Sequence, residues 1–561
     1  MNSKLDRSLI SHLSDTLTSW GLDERLAIKI LEQYSLIDIQ HNPWLMVYGK
    51  HISFIECDDV YLNYLNGSPL DETRKEAFIH WYFENYIEKT GEIYIPIYKF
   101  KEDIRKIAKI KYIRFANMIK EVDKDVTSIK YYNYEKYIEK CVLFLLNIGS
   151  SKLNKQLKLD DKLDPLQQDA IKMALENKIS IITGYPGTGK TEIIKNIIAN
   201  STEQLLLTPT GIATNHVEKV TDHKAFTLHR YFHHNGGIPM LVPTFKGIDD
   251  PLLEEYFQNV KHYDCVIIDE FSMVDIELMS IVLYILYDKQ MKSNNKNVSS
   301  IILIGDHNQL PSIGPGQILK DMIMFGKIPF IFLRENYRQE KGSGIINTAI
   351  SILNKKVPVF NTTDCIFMEV QTNNICNTVL GVINKYNLNV NNSIVITPQK
   401  TTDIGTSNLN DLLQNHYNRS GKRLYKNMFI ELRENDMVIQ KHNNYKKNIF
   451  NGSIGIVKKM TSNKLIIDFS GNTITYDKKD ILKELILCYS ITAHKSQGSE
   501  FENVILILDI LHIYMLNVNL IYTALTRARK RCIIIGNKRA FKIALTKDIF
   551  KKSTLFCNID I

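Results

Sequence analysis

Short, continuous apolar runs recur between residues 160 and 540, and most end in a glycine or a carboxylate. Residues 179–182, 205–207, 265–268 and 301–304 are rich in Ile, Leu and Val with no polar alternation. Such runs predict strands buried on both faces, as in a parallel sheet covered by helices. Helical patterns lie between them; Ile193, Ile194, Ile197 and Ile198 share one side of the segment 192–199. A second set of strands starts near Asn391 with residues 393–396 and closes at 532–536.

Two stretches break the rhythm. Residues 436–483 show short alternating strands, with turn signals at Asn443-Asn444, Asn451-Gly452 and Gly471-Asn472, and predict a small inserted β-barrel. Residues 231–263 lose periodicity and gain Gly236, Gly237, Pro239, Pro243, Gly247 and Pro251, which predicts an excursion from the sheet. The first 150 residues are mainly helical in pattern. There Asp23 is placed to cap a helix carrying Ala27, Ile28, Ile30 and Leu31. Residues 91–96 read as a short strand, and 131–147 as a strand followed by a helix.

The expected domains are therefore a helical region over 1–150, an α/β domain over 151–345, a second over 346–435 and 484–561, and the barrel over 436–483. A chain of 561 residues with 44% hydrophobic and 23% charged residues is ordinary globular material. The net charge of +9 fits a nucleic-acid partner, although a Lys-rich chain from an AT-rich genome has the same balance. None of the eight cysteines forms a Cys-x-x-Cys pair, which argues against a zinc or disulfide framework. The most apolar stretch, 504–516, is interrupted by Asp509 and His512 and is too short to span a bilayer. With no signal-peptide pattern, the expectation is a soluble intracellular protein of the cytoplasm, or of the nucleus or replication site for a viral chain, with no membrane association.

The chemistry concentrates where the apolar runs end. Gly184-Tyr185-Pro186-Gly187-Thr188-Gly189-Lys190-Thr191 matches G-x-x-x-x-G-K-[ST] between a predicted strand and a predicted helix. The glycines let backbone N–H groups turn inward on a polyphosphate, and the helix N-terminus adds partial positive charge. Lys190 is placed for the β- and γ-phosphates of ATP and Thr191 for Mg²⁺. Upstream, Gln167 offers both a donor and an acceptor to an adenine edge. The strand at 265–268 ends in Asp269 and Glu270; after a phosphate loop, such a pair suits Mg²⁺ binding and activation of water. Gln309 is a neutral side chain placed to sense the γ-phosphate, and Arg338 is a candidate cation. Pro209 and Thr210 sit at a carboxyl edge, where open α/β sheets bind ligands, and Thr210 and His229 are candidate contacts to nucleic acid.

Taken together, these motifs resemble the superfamily 1 helicases, in particular the RecD-like 5′-to-3′ branch. Gln167 matches the Q motif, 184–191 motif I, 208–213 motif Ia, 269–273 motif II, 305–312 motif III, 337–339 motif IV, 492–501 motif V and 522–528 motif VI. Ile212 stands where the family has a basic residue. Residues 10–150 resemble the family's helix-hairpin-helix region more loosely. The resemblance implies two tandem RecA-like domains, an SH3-like inserted barrel, and ATP with Mg²⁺ in the cleft between the domains. It implies Arg527 as an arginine finger and Gly498 in the nucleotide site. It also implies Thr397, Asn443, Asn444, His494, Ser496 and Gln497 as DNA contacts, with 231–263 as a wedge. The implied activity is ATP-dependent unwinding by a monomer on single-stranded and tailed duplex DNA, with protein partners in replication, recombination or repair. The alternatives are a DNA-stimulated ATPase that remodels protein–DNA complexes, or the motor subunit of a nuclease complex.

Overall fold

The computed structural model describes residues 7–115, 117–149, 157–234, 263–338, 342–360, 363–444, 447, 449–549 and 551–557. Among these residues, two parallel sheets form the centre of the molecule. The first has six strands in the order Ala225–Thr227, Gln204–Thr208, Cys265–Ile268, Ser300–Gly305, Ile179–Gly184, Phe330–Leu333. Every pairing in it is parallel. Ile179–Gly184 is buried at every position, as expected for a strand covered on both faces. The second has five strands, Cys365–Glu369, Ala528–Gly536, Phe501–Leu508, Ser393–Thr397 and Ser490–Thr492, again all parallel. In each sheet the loops that carry chemistry leave from the carboxyl ends of the strands.

The inserted barrel contributes a five-stranded antiparallel sheet, with burial alternating along Lys464–Phe469 and Asn472–Asp477. It extends past the expected limit of 483: Leu485–Leu487 pairs with Met437–Gln440 and closes that sheet. The pairing that decides this joins residues some 45 positions apart, so the apolar run itself does not reveal which sheet it enters.

Two expectations for the N-terminal region change. The segment 131–147 is helix throughout, within Ile129–Ile148, capped by Ser128, whose hydroxyl accepts from Tyr131 N. The strand expected at 91–96 shrinks to Ile95–Pro96, the two residues paired with Val126 and Asp125, and Gly91 instead ends helix Glu72–Thr90 as its left-handed cap. Asp23 caps its helix as expected, accepting from the N–H groups of Arg25 and Leu26. Helix Ile129–Ile148 packs on helix Ile276–Lys292 of the first α/β domain, with Tyr137 and Tyr284 rings 5.7 Å apart and the Tyr137 hydroxyl donating to Asp288 at 3.0 Å. One hydrophobic core thus runs from Leu17 through the N-terminal helices into one face of the first sheet. Most of the excursion, residues 235–262, and with it the expected wedge, lies outside the described residues. No helix among the described residues is long and apolar enough to cross a membrane.

Candidate active site

The phosphate loop is built by its neighbours as much as by its glycines. Asp164 caps helix Pro165–Glu176 and forms a reciprocal capping box with Gln167. That places Gln167 under the loop, where its Nε2 donates to Thr188 O at 3.1 Å. Gly189 has φ +80°, and a Cβ there would overlap the Gln167 amide. On the other side, Asn336 Nδ2 donates to Pro186 O at 2.6 Å, Tyr337 N donates to Gly187 O at 2.8 Å, and the Tyr337 hydroxyl donates to Asp164. Lys190 Nζ donates to the carbonyls of Gly184 and Tyr185 at 2.8 and 2.9 Å. Burial holds its ammonium below the usual lysine range.

Gln167 also supports the loop: its Oε1 accepts from Asp164 N and its Nε2 donates to Thr188 O, which leaves one N–H and one lone pair of the amide for a ligand.

Asp269 and Glu270 follow strand Cys265–Ile268. Glu270 has φ 53°, a left-handed conformation that costs a non-glycine residue energy and that recurs at functional sites. Burial, and then the neighbouring Glu270 charge, raise the Asp269 pKa. Gln309 is buried, and its Oε1 has no hydrogen-bond partner. Its loop is held from the second domain: Leu310 N donates to Thr523 Oγ1 at 2.8 Å, Gln497 Nε2 to Leu310 O at 2.8 Å, and the Tyr522 hydroxyl to Asp306 Oδ2 at 2.7 Å.

A cavity of about 290 Å³ lies between the two α/β domains. Its first wall carries Lys190, Thr191, Asp269, Glu270, Gln309 and Arg338; its second carries Gly498, Glu500 and Arg527. Arg527 is buried and fixed by donation to Thr523 O at 3.0 Å and Ser499 O at 3.3 Å. Arg338 forms an ion pair with Glu500 across the cleft. Sequence reasoning missed Glu500 as a site residue, along with Tyr337 and His216, which also line the cavity. Only the position of Arg338, 162 residues earlier, marks Glu500 as more than a surface charge.

The polar groups expected to touch nucleic acid divide into two sets. Thr210 caps helix Gly211–Thr221 and lies beside Gly498, while Gly211 receives the Phe450 side chain from the barrel. Asn443 Oδ1 accepts from Asn451 N and Asn444 Oδ1 from Lys447 N, shaping the same barrel loop. His229 is exposed beside Arg230, whose guanidinium lies over the Phe450 ring at 5.9 Å. Pro209 and Thr210 are half-buried at this seam, and so is His494 on the second domain. The other three are corrected. Thr397 is fully buried and its hydroxyl donates to Ile404 O. Ser496 is fully buried and donates to Ala493 O. Gln497 is committed to Leu310. Their side chains shape loops from within. Burial, with Lys400 and Lys441 close by, lowers the Lys495 pKa.

Fold and cleft define a two-domain P-loop α/β architecture. The model for an AAA domain matches residues 167–315, that for a UvrD-like helicase C-terminal domain matches 487–535, and that for an ATP-dependent RecD-like DNA helicase SH3 domain matches 409–469. The chain is 30% identical over 386 residues to the ATP-dependent RecD2 DNA helicase of Deinococcus radiodurans, covering 67% of this chain and 50% of the relative. It is 28% identical to the RecBCD enzyme subunit RecD of Buchnera aphidicola subsp. Acyrthosiphon pisum, covering 69% of this chain and 74% of that one. It therefore spans half the length of the first relative. The crystal structure of Pif1 helicase from Bacteroides in complex with ADP-AlF3 and ssDNA is 21% identical, over 69% of this chain and 95% of that one, with a TM-score of 0.46. The chain belongs to the RecD-like branch of the superfamily 1 helicases.

Proposed function

We propose that this chain is an ATP-dependent DNA helicase that moves 5′ to 3′ along single-stranded DNA as a monomer and unwinds tailed duplexes in replication, recombination or repair. The observation that carries the reading is the two-sided cavity: Lys190, Thr191, Asp269, Glu270 and Gln309 on one wall face Gly498, Glu500 and Arg527 on the other.

The residues fit a Mg²⁺-bound nucleoside triphosphate. The loop around Gly189 leaves no room for a side chain, and Gln309 Oε1 is a buried acceptor without a partner. When bound, ATP with Mg²⁺ supplies the anhydride to be cleaved and neutralises part of its charge. Lys190 and the loop N–H groups would bind the phosphates, and Thr191 and Asp269 would hold Mg²⁺. Glu270 takes the proton of the attacking water, and Gln309 orients that water. Arg527 meets the charge that develops on the γ-phosphoryl oxygens, a contribution of about 10³–10⁵ in rate for such fingers. Arg338, released from Glu500, adds a second cation. Because Arg527 and Glu500 belong to the second domain, hydrolysis requires closure, and closure moves Thr210 relative to His494 and Lys495 along the nucleic-acid seam. Phosphate contacts are sequence-independent, which suits translocation.

Lys190→Ala is expected to lose DNA-stimulated hydrolysis with an unchanged thermal melt; retained turnover would sink the assignment of the cavity. Strand displacement is expected on 5′-tailed duplexes and absent on blunt ones, and a preference for 3′ tails would overturn the direction. The similarity to a RecBCD subunit supports a second reading, a motor subunit of a nuclease complex. Under it, the isolated chain hydrolyses ATP with DNA but displaces no strand.

A further inference from the structure

The hairpin that leads into the barrel pairs Arg423–Lys426 with Glu431–Arg433. Its turn presents Met428 and Phe429 to solvent, 88% and 76% exposed, although both are large and apolar. This tip is held in shape. Asn427 N donates to Ile430 O at 3.0 Å, Asn427 Oδ1 accepts from Phe429 N and Ile430 N at 2.8 and 2.9 Å, and its Nδ2 donates to the Tyr425 hydroxyl at 3.0 Å. Tyr425 and Leu432 anchor the strands in a buried core. An apolar pair on a rigid, buried pedestal is ordered without needing to pack on its own protein, which fits a preformed contact.

The surroundings are cationic. Residues 422–484, the hairpin together with most of the barrel, contain 13 Lys and Arg against 7 Asp and Glu, a net +6 of the chain's +9. Lys426 is exposed next to the tip, and Lys422 and Arg423 are exposed at the base of the hairpin, opposite Glu434 and Arg433. Arg423, Lys426 and Arg433 all share the single carboxylate of Glu431, at 3.2, 3.0 and 2.9 Å, which leaves the group positive. Strand Arg423–Lys426 lies against strand Ile454–Met460, which adds exposed Lys458 and Lys459.

We propose that this hairpin is a second nucleic-acid site, apart from the seam between the domains, at which Phe429 stacks on an accessible base face while Lys426 holds the adjoining phosphate and Arg423 and Lys422, lower on the hairpin, hold phosphates further along the strand. Aromatic stacking within a positive surface is the physical signature of sequence-independent binding to exposed bases. The charge favours nucleic acid over an apolar protein partner. The inference rests on the DNA reading above and adds a contact outside the ATP cleft. Two sources offer such a base face: an unpaired strand, or the open end of a duplex.

The test uses the full chain and DNA carrying 2-aminopurine, in three forms: a single strand, a blunt duplex with the probe at its end, and a tailed fork with the probe at the junction. Wild type is expected to quench the probe in at least one form. Phe429→Ala is expected to abolish that quench and weaken binding of that form about tenfold, whereas Phe429→Trp retains both. Lys422→Glu with Arg423→Glu is expected to weaken binding and flatten its salt dependence. ATP hydrolysis in the absence of DNA stays unchanged in all variants. The form that loses its quench identifies the source of the base. Wild-type affinity and quench in Phe429→Ala on all three forms would overturn the proposal and leave the tip as a protein-docking surface. Failure of wild type to bind any of the three would overturn both the site and the helicase reading.

Discussion

Gln167 shows how far a side chain's role depends on its neighbours. As a lone glutamine before a phosphate loop it matches an adenine reader. In the fold each end of its amide is engaged once, by Asp164 N and Thr188 O, and one N–H and one lone pair remain for a ligand. Gln167→Ala is therefore expected to raise KM for ATP several-fold by loosening the loop. A relaxed preference for ATP over GTP would add an adenine-reading role, an unchanged KM would remove the supporting one, and steady-state kinetics with both nucleotides decides. Asp275 makes a second residue-scale case. It caps helix Ile276–Lys292, accepting from Leu278 N at 2.8 Å, and burial pushes its carboxyl up to about 6. Its folded pKa lies above the unfolded value of about 3.9. Its protonated form thus stabilises the fold fully below about pH 4, and that contribution is lost as pH rises through about 6. Asp275→Asn keeps the cap and removes the titration. Melting temperature in the variant should gain on wild type between pH 4 and 6; a constant gap would mean that the buried carboxyl does not titrate there.

At the scale of elements, the informative contact joins the barrel to the first α/β domain. Phe450 packs on Gly211, and Gly452 faces Ile212, whose Cδ1 would lie 2.6 Å from a Cβ at that glycine. The apolar Ile212 at a position that is basic in the family acquires a reason here: it receives the barrel. Gly211→Ala would drive a methyl into Phe450, an overpacking worth about 1–3 kcal/mol. The expected result is a displaced barrel and weaker binding to single-stranded DNA, with part of the loss recovered in Gly211→Ala combined with Phe450→Gly, since the Phe450 Cβ is itself the nearest atom. Additive losses in that cycle would argue against a direct contact. The apolar runs of both sheets were legible in the sequence because continuous burial leaves continuous apolar sequence. The limit of the barrel was not, since Leu485–Leu487 has the composition of either sheet and long-range pairing assigns it.

For the whole molecule, residues 551–557 tie three units together. They follow the second domain's last helix, Lys538–Leu545. Lys551 Nζ donates to Ser312 O and Gly314 O, both at 2.7 Å, just beyond the Gln309 loop. Buried Glu135 in the N-terminal region accepts from Tyr94, Ser553 and Thr554. Phe556 stacks on Phe325 with centroids 4.3 Å apart. Removing these residues exposes apolar surface and deprives the buried Glu135 carboxylate of its Ser553 and Thr554 donors, leaving Tyr94 alone. A truncation after residue 549 should lower the melting temperature by at least about 5 °C and loosen the N-terminal region towards protease. An unchanged calorimetric profile would show that the strap carries no load.

The sequence by itself determined the nucleotide chemistry. The phosphate loop, the Asp269–Glu270 pair and Gln309 each sit at the end of an apolar run, and local spacing is enough to read them. It also determined the α/β class, through runs buried on both faces. Tertiary structure decided what faces what. It set Arg527 and Glu500 opposite Lys190, withdrew Thr397, Ser496 and Gln497 into the interior, and seated Gln167 beneath the phosphate loop. It left Phe429 outside on a cationic hairpin. Burial and partnership are properties of residues far apart in the chain, and no local pattern encodes them.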